Sequence, residues 1–248
     1  MKLSKAQMKA HLKAMDLVNS DKKLNLDERF FIVENYREDA TNMNASAGAF
    51  FTPVELATSF QVELDSNLHI VDLCAGIGTL SLLTHVHNFP KSLTCVELNP
   101  EYVKVGKRVV PEADWICADA LTHQFDGSFD LAISNPPFGV IKTSDWNDKY
   151  TGSLFEFKVI ERASQISDYA VMIIPANSAG FIQSGVVSRK TVCNKNLEKF
   201  IEQTGICFQA SCVDTSFASD DWNGAKPQVE IITSDFREIK ASRFSLVA

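Results

Sequence analysis

The 248-residue sequence lacks several features that identify common protein classes. Its six cysteines and five histidines include no CxxC pair and no Cys/His cluster, so we expect neither a metal site nor a disulfide framework. No run approaches the roughly 20 apolar residues of a membrane span, so no membrane segment is expected. The N-terminus carries charges throughout, where a signal peptide would have an apolar block, and this predicts a cytoplasmic protein.

An excess of basic residues is also absent. The chain has 24 Lys and Arg against 31 Asp and Glu, a net charge of −7. This balance argues against a surface that is basic throughout, which is typical of strong nucleic-acid binders. A local basic groove remains compatible with it, because cations are denser between residues 141 and 199. An ordinary solvated surface is the alternative. Four cations are predicted to contact the nucleic-acid backbone if such a groove exists: Arg189, Lys190, Lys195 and Lys199.

Glycine is nearly missing from the first 45 residues, which are charged and have a roughly helical period. We predict a helical extension over residues 1–45 and one further domain over residues 46–248. Four apolar residues are predicted to share one face of the first helix: Leu3, Met8, Leu12 and Met15.

From His69 onward, short apolar runs alternate with stretches of helical period. Five runs are predicted as strands: HIVDLC, SLTCVEL, DWICA, FDLAIS and YAVMIIP. This alternation predicts an α/β fold whose parallel sheet is covered on both faces, and two later apolar stretches suggest a final antiparallel pair. Cys74, Cys95 and Cys117 lie in or beside these strands, which predicts reduced thiols in the core.

Chemistry-bearing residues follow each of the first four strands. Gly76 and Gly78, in DLCAGIGTLSL, allow a close approach of the backbone to a ligand. Glu97 could accept hydrogen bonds from ribose hydroxyls, and Asp119 from an adenine amino group, although either could instead cap a helix. The fourth strand ends in SNPPFG, whose two prolines stiffen the backbone where ladder hydrogen bonding must stop.

The order of these groups carries more information than any one of them. In a doubly wound sheet all four strand ends open onto one crevice, with the first and fourth strands adjacent at the switch point. A nicotinamide-binding protein is disfavoured, because Ser81 replaces the Gly or Ala of the dinucleotide fingerprint.

At this point the sequence resembles the class I S-adenosylmethionine-dependent methyltransferases of the Asn-Pro-Pro-Phe, adenine-N6 type. The motif residues are Asn135, Pro136, Pro137 and Phe138. DLCAGIG is similar to the cofactor loop of the family, and GAFFTP, from Gly48 to Pro53, resembles the N-terminal cofactor motif of adenine-N6 DNA methyltransferases. The resemblance covers roughly residues 46–235.

The resemblance implies a Rossmann-like methyltransferase fold, with a mostly parallel seven-stranded sheet, a C-terminal antiparallel strand and additional N-terminal helices. It also implies S-adenosyl-L-methionine as cofactor, held by Thr52, Pro53, Asp72, Cys74, Ala75, Gly76, Gly78, Glu97, Asp119 and Ala120. Asn135 and Pro136 would accept hydrogen bonds from the target amine, while Phe138 would stack on the base. Family enzymes often add a second aromatic ring, for which Phe217 and Trp222 are the candidates.

The acceptor molecule is left open. DNA is favoured by GAFFTP, whereas structured RNA is favoured by the lack of a large recognition domain after the last strand. A glutamine amide in a protein poses the same chemical problem, and a non-catalytic partner subunit that binds cofactor or nucleic acid is a further alternative. A partner subunit or a homodimer is a further expectation.

Overall fold

The computed structural model describes residues 3–37, 50–143, 146–223 and 226–240. The helices are α1 (Lys5–Asn19), α2 (Leu26–Asn35), α3 (Val54–Phe60), α4 (Thr79–Asn88), α5 (Pro100–Val109), α6 (Phe155–Ile166), α7 (Ala176–Ala179) and α8 (Lys195–Thr204). The strands are β1 (His69–Leu73), β2 (Ser92–Glu97), β3 (Asp114–Cys117), β4 (Phe129–Ser134), β5 (Ser167–Pro175), β6 (Phe181–Ile182), β7 (Lys190–Thr191), β8 (Gln209–Ala210) and β9 (Val229–Asp235).

Seven of the strands form one sheet in the order β3-β2-β1-β4-β5-β9-β8. The pairs among β1 to β5 are all parallel, while β9 runs antiparallel to both β5 and β8. The predicted α/β fold, a mostly parallel seven-stranded sheet with an antiparallel C-terminal strand, is therefore confirmed. Strands β1 and β4 are neighbours, so the ends of both open onto one crevice at the switch point.

The central strands are buried because helices cover both faces of the sheet. In β5, consecutive residues Met172, Ile173 and Ile174 are fully buried although their side chains point to alternate faces. Two separate apolar clusters result, one on each side of the sheet. The outermost strand β3 has less cover, so Cys117 at its end is exposed and the prediction of a core thiol there is wrong.

The N-terminal helices α1 and α2 pack against α5 and share an apolar cluster with the rest of the chain. The predicted packing face of α1 is wrong. Met8, Leu12 and Met15 are exposed, whereas His11 is buried together with Ala14 and Val18. The face is set by His11, whose ring lies 5.2 Å from that of Tyr36 and whose Nδ1 accepts a hydrogen bond from the Arg37 amide. The predicted boundary between residues 45 and 46 lies outside the described residues.

A short antiparallel ribbon of β6 and β7 stands apart from the main sheet and was not expected from the sequence. Its segment between the strands is tied to β9 by Glu230, which accepts hydrogen bonds from the backbone amides of Gln183 and Ser184. In the described ranges, no helix is both long and apolar enough to cross a bilayer.

Candidate active site

The loop after β1 turns the chain sharply into helix α4. Three of its residues adopt left-handed backbone conformations: Cys74 (φ 63°), Gly76 (φ 57°) and Gly78 (φ 87°). Such conformations favour glycine, so Cys74 is an unusual occupant of the first position. At Gly76 a Cβ atom would lie 3.4 Å from the Phe51 ring, which places that ring directly over the loop.

Asp72 lies buried at the end of β1. Its Oδ2 accepts a 2.6 Å hydrogen bond from Ser81 Oγ, while its Oδ1 is buried with no hydrogen-bond partner among the described residues. Burial raises the pKa of Asp72 to about 7, although the Ser81 hydroxyl lowers it and Glu97 adds to the rise. The free oxygen is therefore an acceptor that a bound polar group can satisfy.

Glu97 lies at the end of β2 and is held by the backbone. Its Oε2 accepts from the Gly76 amide (2.9 Å) and its Oε1 from the Asn99 amide (2.8 Å). Burial raises the pKa of Glu97, which these backbone amides partly oppose. Each carboxylate oxygen can accept a second hydrogen bond, so the group can still bind hydroxyls.

Asp119 follows β3 and closes a turn, because its Oδ1 accepts from the Leu121 amide at 2.9 Å. Burial raises the pKa of the nearby Cys74 thiol well above its usual range, and the charges of Glu97, Asp72 and Asp119 raise it further. The thiol is therefore protonated at neutral pH and unsuited to nucleophilic chemistry. Asp72 lines one cavity together with Cys74, and Glu97 and Asp119 line a second cavity together with Cys74.

Asn135 begins the NPPF segment directly after β4. Its Nδ2 donates to the Phe50 carbonyl and to Thr52 Oγ1, both at 2.9 Å. Its Oδ1 is buried and has no partner among the described residues. Rotation of the amide by 180° would turn Oδ1 toward the Phe50 carbonyl, which can only accept, so the hydrogen bond to Phe50 fixes the orientation in which the free acceptor is presented. The hydroxyl of Thr52 can donate or accept, and it adds a second hydrogen bond in this orientation.

Aromatic rings lie beside this amide. The Phe50 ring is 6.3 Å from that of Phe138 and 6.5 Å from that of Trp222, the latter pair edge to face. Trp222 is buried, whereas Phe217 is about half exposed at 52%. Trp222 is thus linked to Phe138 through one intervening ring.

Two cavities open along the carboxyl ends of the strands. The inner cavity is lined by, among others, Phe51, Thr52, Asp72, Cys74, Ala75, Gly76 and Asn135. The outer cavity, of about 330 Å³, is lined by residues that include Cys74, Glu97, Asp119, Ala120, Pro137 and Lys142. Cys74 borders both, so the structure brings most of the predicted residues to one continuous crevice.

Four predicted residues lie elsewhere or act through the backbone. Pro53 lines a third cavity of about 200 Å³ together with Thr52. Gly78 caps helix α4, Phe138 packs on Phe50, and Pro136 lines none of these three cavities in the described structure. The described residues also contain no group of three or more His, Cys, Asp or Glu side chains placed to hold a metal ion.

Sequence reasoning missed the role of the two phenylalanines before Thr52. It assigned no role to Phe50 or Phe51, but Phe50 supplies a carbonyl to Asn135 and Phe51 forms a wall of the inner cavity. A separation of 85 residues hides that hydrogen bond in a single sequence. The available signal was the adjacency of both rings to Thr52, which the sequence already linked to the site.

Part of the chain is similar in sequence to known methyltransferases, and its fold is similar to solved structures. Residues 54–152 match the family described as "Methyltransferase small domain". A release factor glutamine methyltransferase from Mycolicibacterium smegmatis is 35% identical over 82 residues, which are 31% of this chain and 29% of that protein. The matched part thus spans less than a third of the relative's length.

Two solved structures share the fold at low identity. A candidate class I S-adenosylmethionine-dependent methyltransferase from Listeria monocytogenes has a TM-score of 0.56 at 11% identity, covering 93% of this chain and 73% of that one. A candidate RNA methyltransferase from Pyrococcus horikoshii has a TM-score of 0.51 at 16% identity, covering 92% and 98%. The chain therefore has the Rossmann-like fold of these methyltransferases, and its residues 54–152 are similar to the methyltransferase small domain.

Proposed function

We propose that the protein transfers a methyl group from S-adenosylmethionine to the N6 amino group of adenine, with DNA as the favoured acceptor. The observation that carries this proposal is the free Oδ1 of Asn135, fixed by Phe50 and Thr52 at the start of a stiff NPPF segment. A buried acceptor without a partner requires explanation, and a donor on the acceptor molecule supplies one.

The residues of the crevice fit the cofactor. Asp72 offers an unpartnered buried oxygen to an ammonium group, and Glu97 has free acceptor capacity for ribose hydroxyls. Gly76 leaves room next to Phe51 that a side chain would occupy. When bound, the cofactor supplies an electrophilic methyl group on a sulfonium.

The chain's own contribution is to prepare the amine. The lone pair of an exocyclic adenine nitrogen is delocalised into the ring, which makes the nitrogen a poor nucleophile. Acceptance of one amino hydrogen by Asn135 Oδ1, and of the other by the Pro136 carbonyl, favours a tetrahedral nitrogen with a localised lone pair. The adjacent ring of Phe138 offers a stacking surface that fixes the plane of the base.

A flat acceptor is favoured by the aromatic residues at the site. Phe50, Phe138 and Trp222 form a contiguous series of rings beside Asn135. Arg189 and Lys190, on and beside strand β7, are our candidates for contacts to the nucleic-acid backbone. Structured RNA offers the same base and charge, so DNA rests on the similarity of GAFFTP alone.

A second candidate acceptor is the side-chain amide of glutamine in a protein. It is favoured by the 82-residue match to a release factor glutamine methyltransferase. A primary amide also has a delocalised lone pair and two hydrogens, so Asn135 would act on it in the same way.

The acceptor can be identified with radiolabelled S-adenosylmethionine and separate pools of DNA, RNA and protein. We expect label in DNA with the wild-type protein, none with Asn135→Ala, and wild-type incorporation with Asn19→Ala, an exposed asparagine on α1 that accepts from Lys104 and lines none of the three cavities. Label confined to RNA or to protein would contradict the DNA proposal, and equal labelling by Asn135→Ala would contradict the chemistry.

A further inference from the structure

A buried carboxylate holds the end of the SNPPFG segment. Glu156, in the first turn of α6, is 1% exposed. Its Oε2 accepts a 2.9 Å hydrogen bond from the Gly139 amide, and its Oε1 accepts a 2.7 Å hydrogen bond from Ser178 Oγ. Both oxygens are therefore used inside the protein, and Glu156 joins the motif to α6 and α7.

The same helix start makes two further backbone contacts with the motif. The Phe155 amide donates to the Gly139 carbonyl at 2.9 Å, and Val140 forms an antiparallel bridge with Leu154. Gly139 has a φ of 83°, a left-handed conformation that reverses the chain after Phe138. The turn is thus fixed on both the amide and the carbonyl side of Gly139.

The charge on Glu156 strengthens this attachment. A carboxylate in the first turn of a helix is stabilised by the helix dipole, and hydrogen bonds to a charged acceptor are stronger than those between neutral groups. Removal of the carboxylate would leave a half-buried amide and a buried hydroxyl without their acceptor, which is unfavourable. The Gly139 end of the motif would then lose its fixed position.

We infer that Glu156 is a positioning residue, which holds Asn135 and Phe138 in register with the acceptor through Gly139; the inference rests on the proposed function of the NPPF segment. Glu156 itself contacts neither cofactor nor acceptor. Displacement of reacting groups by about 1 Å can lower a rate on the order of 100-fold, so a fixed turn next to the motif bears directly on the transfer step.

Glu161 provides a matched control on the same helix. It is also fully buried, and its oxygens accept from the backbone amides of Lys149 and Tyr150 at 3.1 and 3.0 Å. Glu161 therefore anchors a different part of the chain in a chemically similar way. A general weakening of α6 would affect both glutamates, whereas positioning of the motif involves Glu156 alone.

The test compares Glu156→Ala, Glu156→Gln, Ser178→Ala and Glu161→Ala with the wild-type protein. For each, we would measure single-turnover methyl transfer to whichever pool the wild type labels, cofactor affinity by calorimetry and thermal unfolding. We expect Glu156→Ala to lose on the order of 100-fold in rate with cofactor affinity nearly unchanged. Glu156→Gln retains an oxygen acceptor, so it should recover most of that loss. Ser178→Ala removes one of the two donors that hold the carboxylate, so it should lose part of the rate. Glu161→Ala should transfer at the wild-type rate.

A wild-type rate in Glu156→Ala, or an equal loss in Glu161→Ala, would overturn the inference. If Glu156→Ala does not fold, Ser178→Ala decides, since a wild-type rate in that variant would overturn it. The exchange of the Gly139 amide proton, followed by NMR without acceptor, gives a readout independent of transfer. Slow exchange that persists without the Glu156 carboxylate would overturn the anchor, whereas the labelled pool of the wild type alone decides the proposed function.

Discussion

Replacement of Thr52 by valine tests how Asn135 is oriented. Valine has nearly the shape of threonine but offers no acceptor to Asn135 Nδ2, which now donates to Thr52 Oγ1 at 2.9 Å. Thr52 is only 6% exposed, so water does not readily replace the hydroxyl. A buried N–H that loses its partner costs about 1–3 kcal/mol.

The free energy lost with this hydrogen bond predicts a decrease in the transfer rate. If the loss falls on the productive orientation of the amide, at about 1.4 kcal/mol per tenfold, Thr52→Val lowers the transfer rate about 5- to 150-fold. Asn135→Ala, which removes the acceptor itself, should cost on the order of 100- to 1000-fold. Because the two residues act through one amide, the double variant should be no slower than Asn135→Ala.

The assay is single-turnover transfer from radiolabelled cofactor, combined with calorimetry of cofactor binding. Fully additive losses in the double variant would refute the proposed coupling. So would a Thr52→Val protein that binds cofactor more weakly yet transfers at the wild-type rate, because Thr52 would then act on the cofactor and leave Asn135 unaffected.

Three further predictions concern the core of the site and the packing around it. The pKa of Asp72 is raised to about 7 in the folded protein, so the folded state binds an extra proton between about pH 4 and 7 and the free energy of unfolding should fall as pH rises through that window. Urea titrations should show that Asp72→Asn reduces this slope, and part of the slope that remains comes from Glu161, whose pKa is also raised to about 7 by burial. A Cβ on Gly106 would lie 2.0 Å from the Trp115 ring, so Gly106→Ala should cost about 1–3 kcal/mol by denaturant unfolding, with a changed Trp115 fluorescence. Glu112→Ala leaves the buried guanidinium of Arg29 without its 2.9 Å ion-pair partner, so it should destabilise the protein more than Arg29→Met, and equal midpoints would contradict this.

Local sequence patterns were sufficient to predict the main sheet. Each of the first five strands is an apolar run bounded by turn residues. Strand β4 lies next to β1 because the chain crosses back over the sheet before β4 begins. The strand ends therefore meet at one edge, and the placement of Asp72, Glu97 and Asn135 on that edge followed from sequence order. Their individual roles remain predictions.

Contacts between segments that are far apart in the sequence could not be predicted from it. No local sequence pattern indicates that the carbonyl of Phe50 accepts a hydrogen bond from Asn135, or that a glutamate in α6 accepts one from Gly139. The packing face of α1 was missed for a related reason: a polar residue, His11, is buried because Tyr36 and the Arg37 amide satisfy it. Apolar periodicity alone predicted that Met8, Leu12 and Met15 form the packing face, but these residues are exposed.

The central claim is that Asn135 presents a free acceptor to an adenine amine. The most direct measurement is mass spectrometry of nucleosides from the DNA of cells that express the wild-type protein or Asn135→Ala at equal levels. The account predicts N6-methyldeoxyadenosine in DNA with the wild type and its absence with Asn135→Ala. The same amount of methylated adenine with both proteins, or none with the wild type, would contradict it.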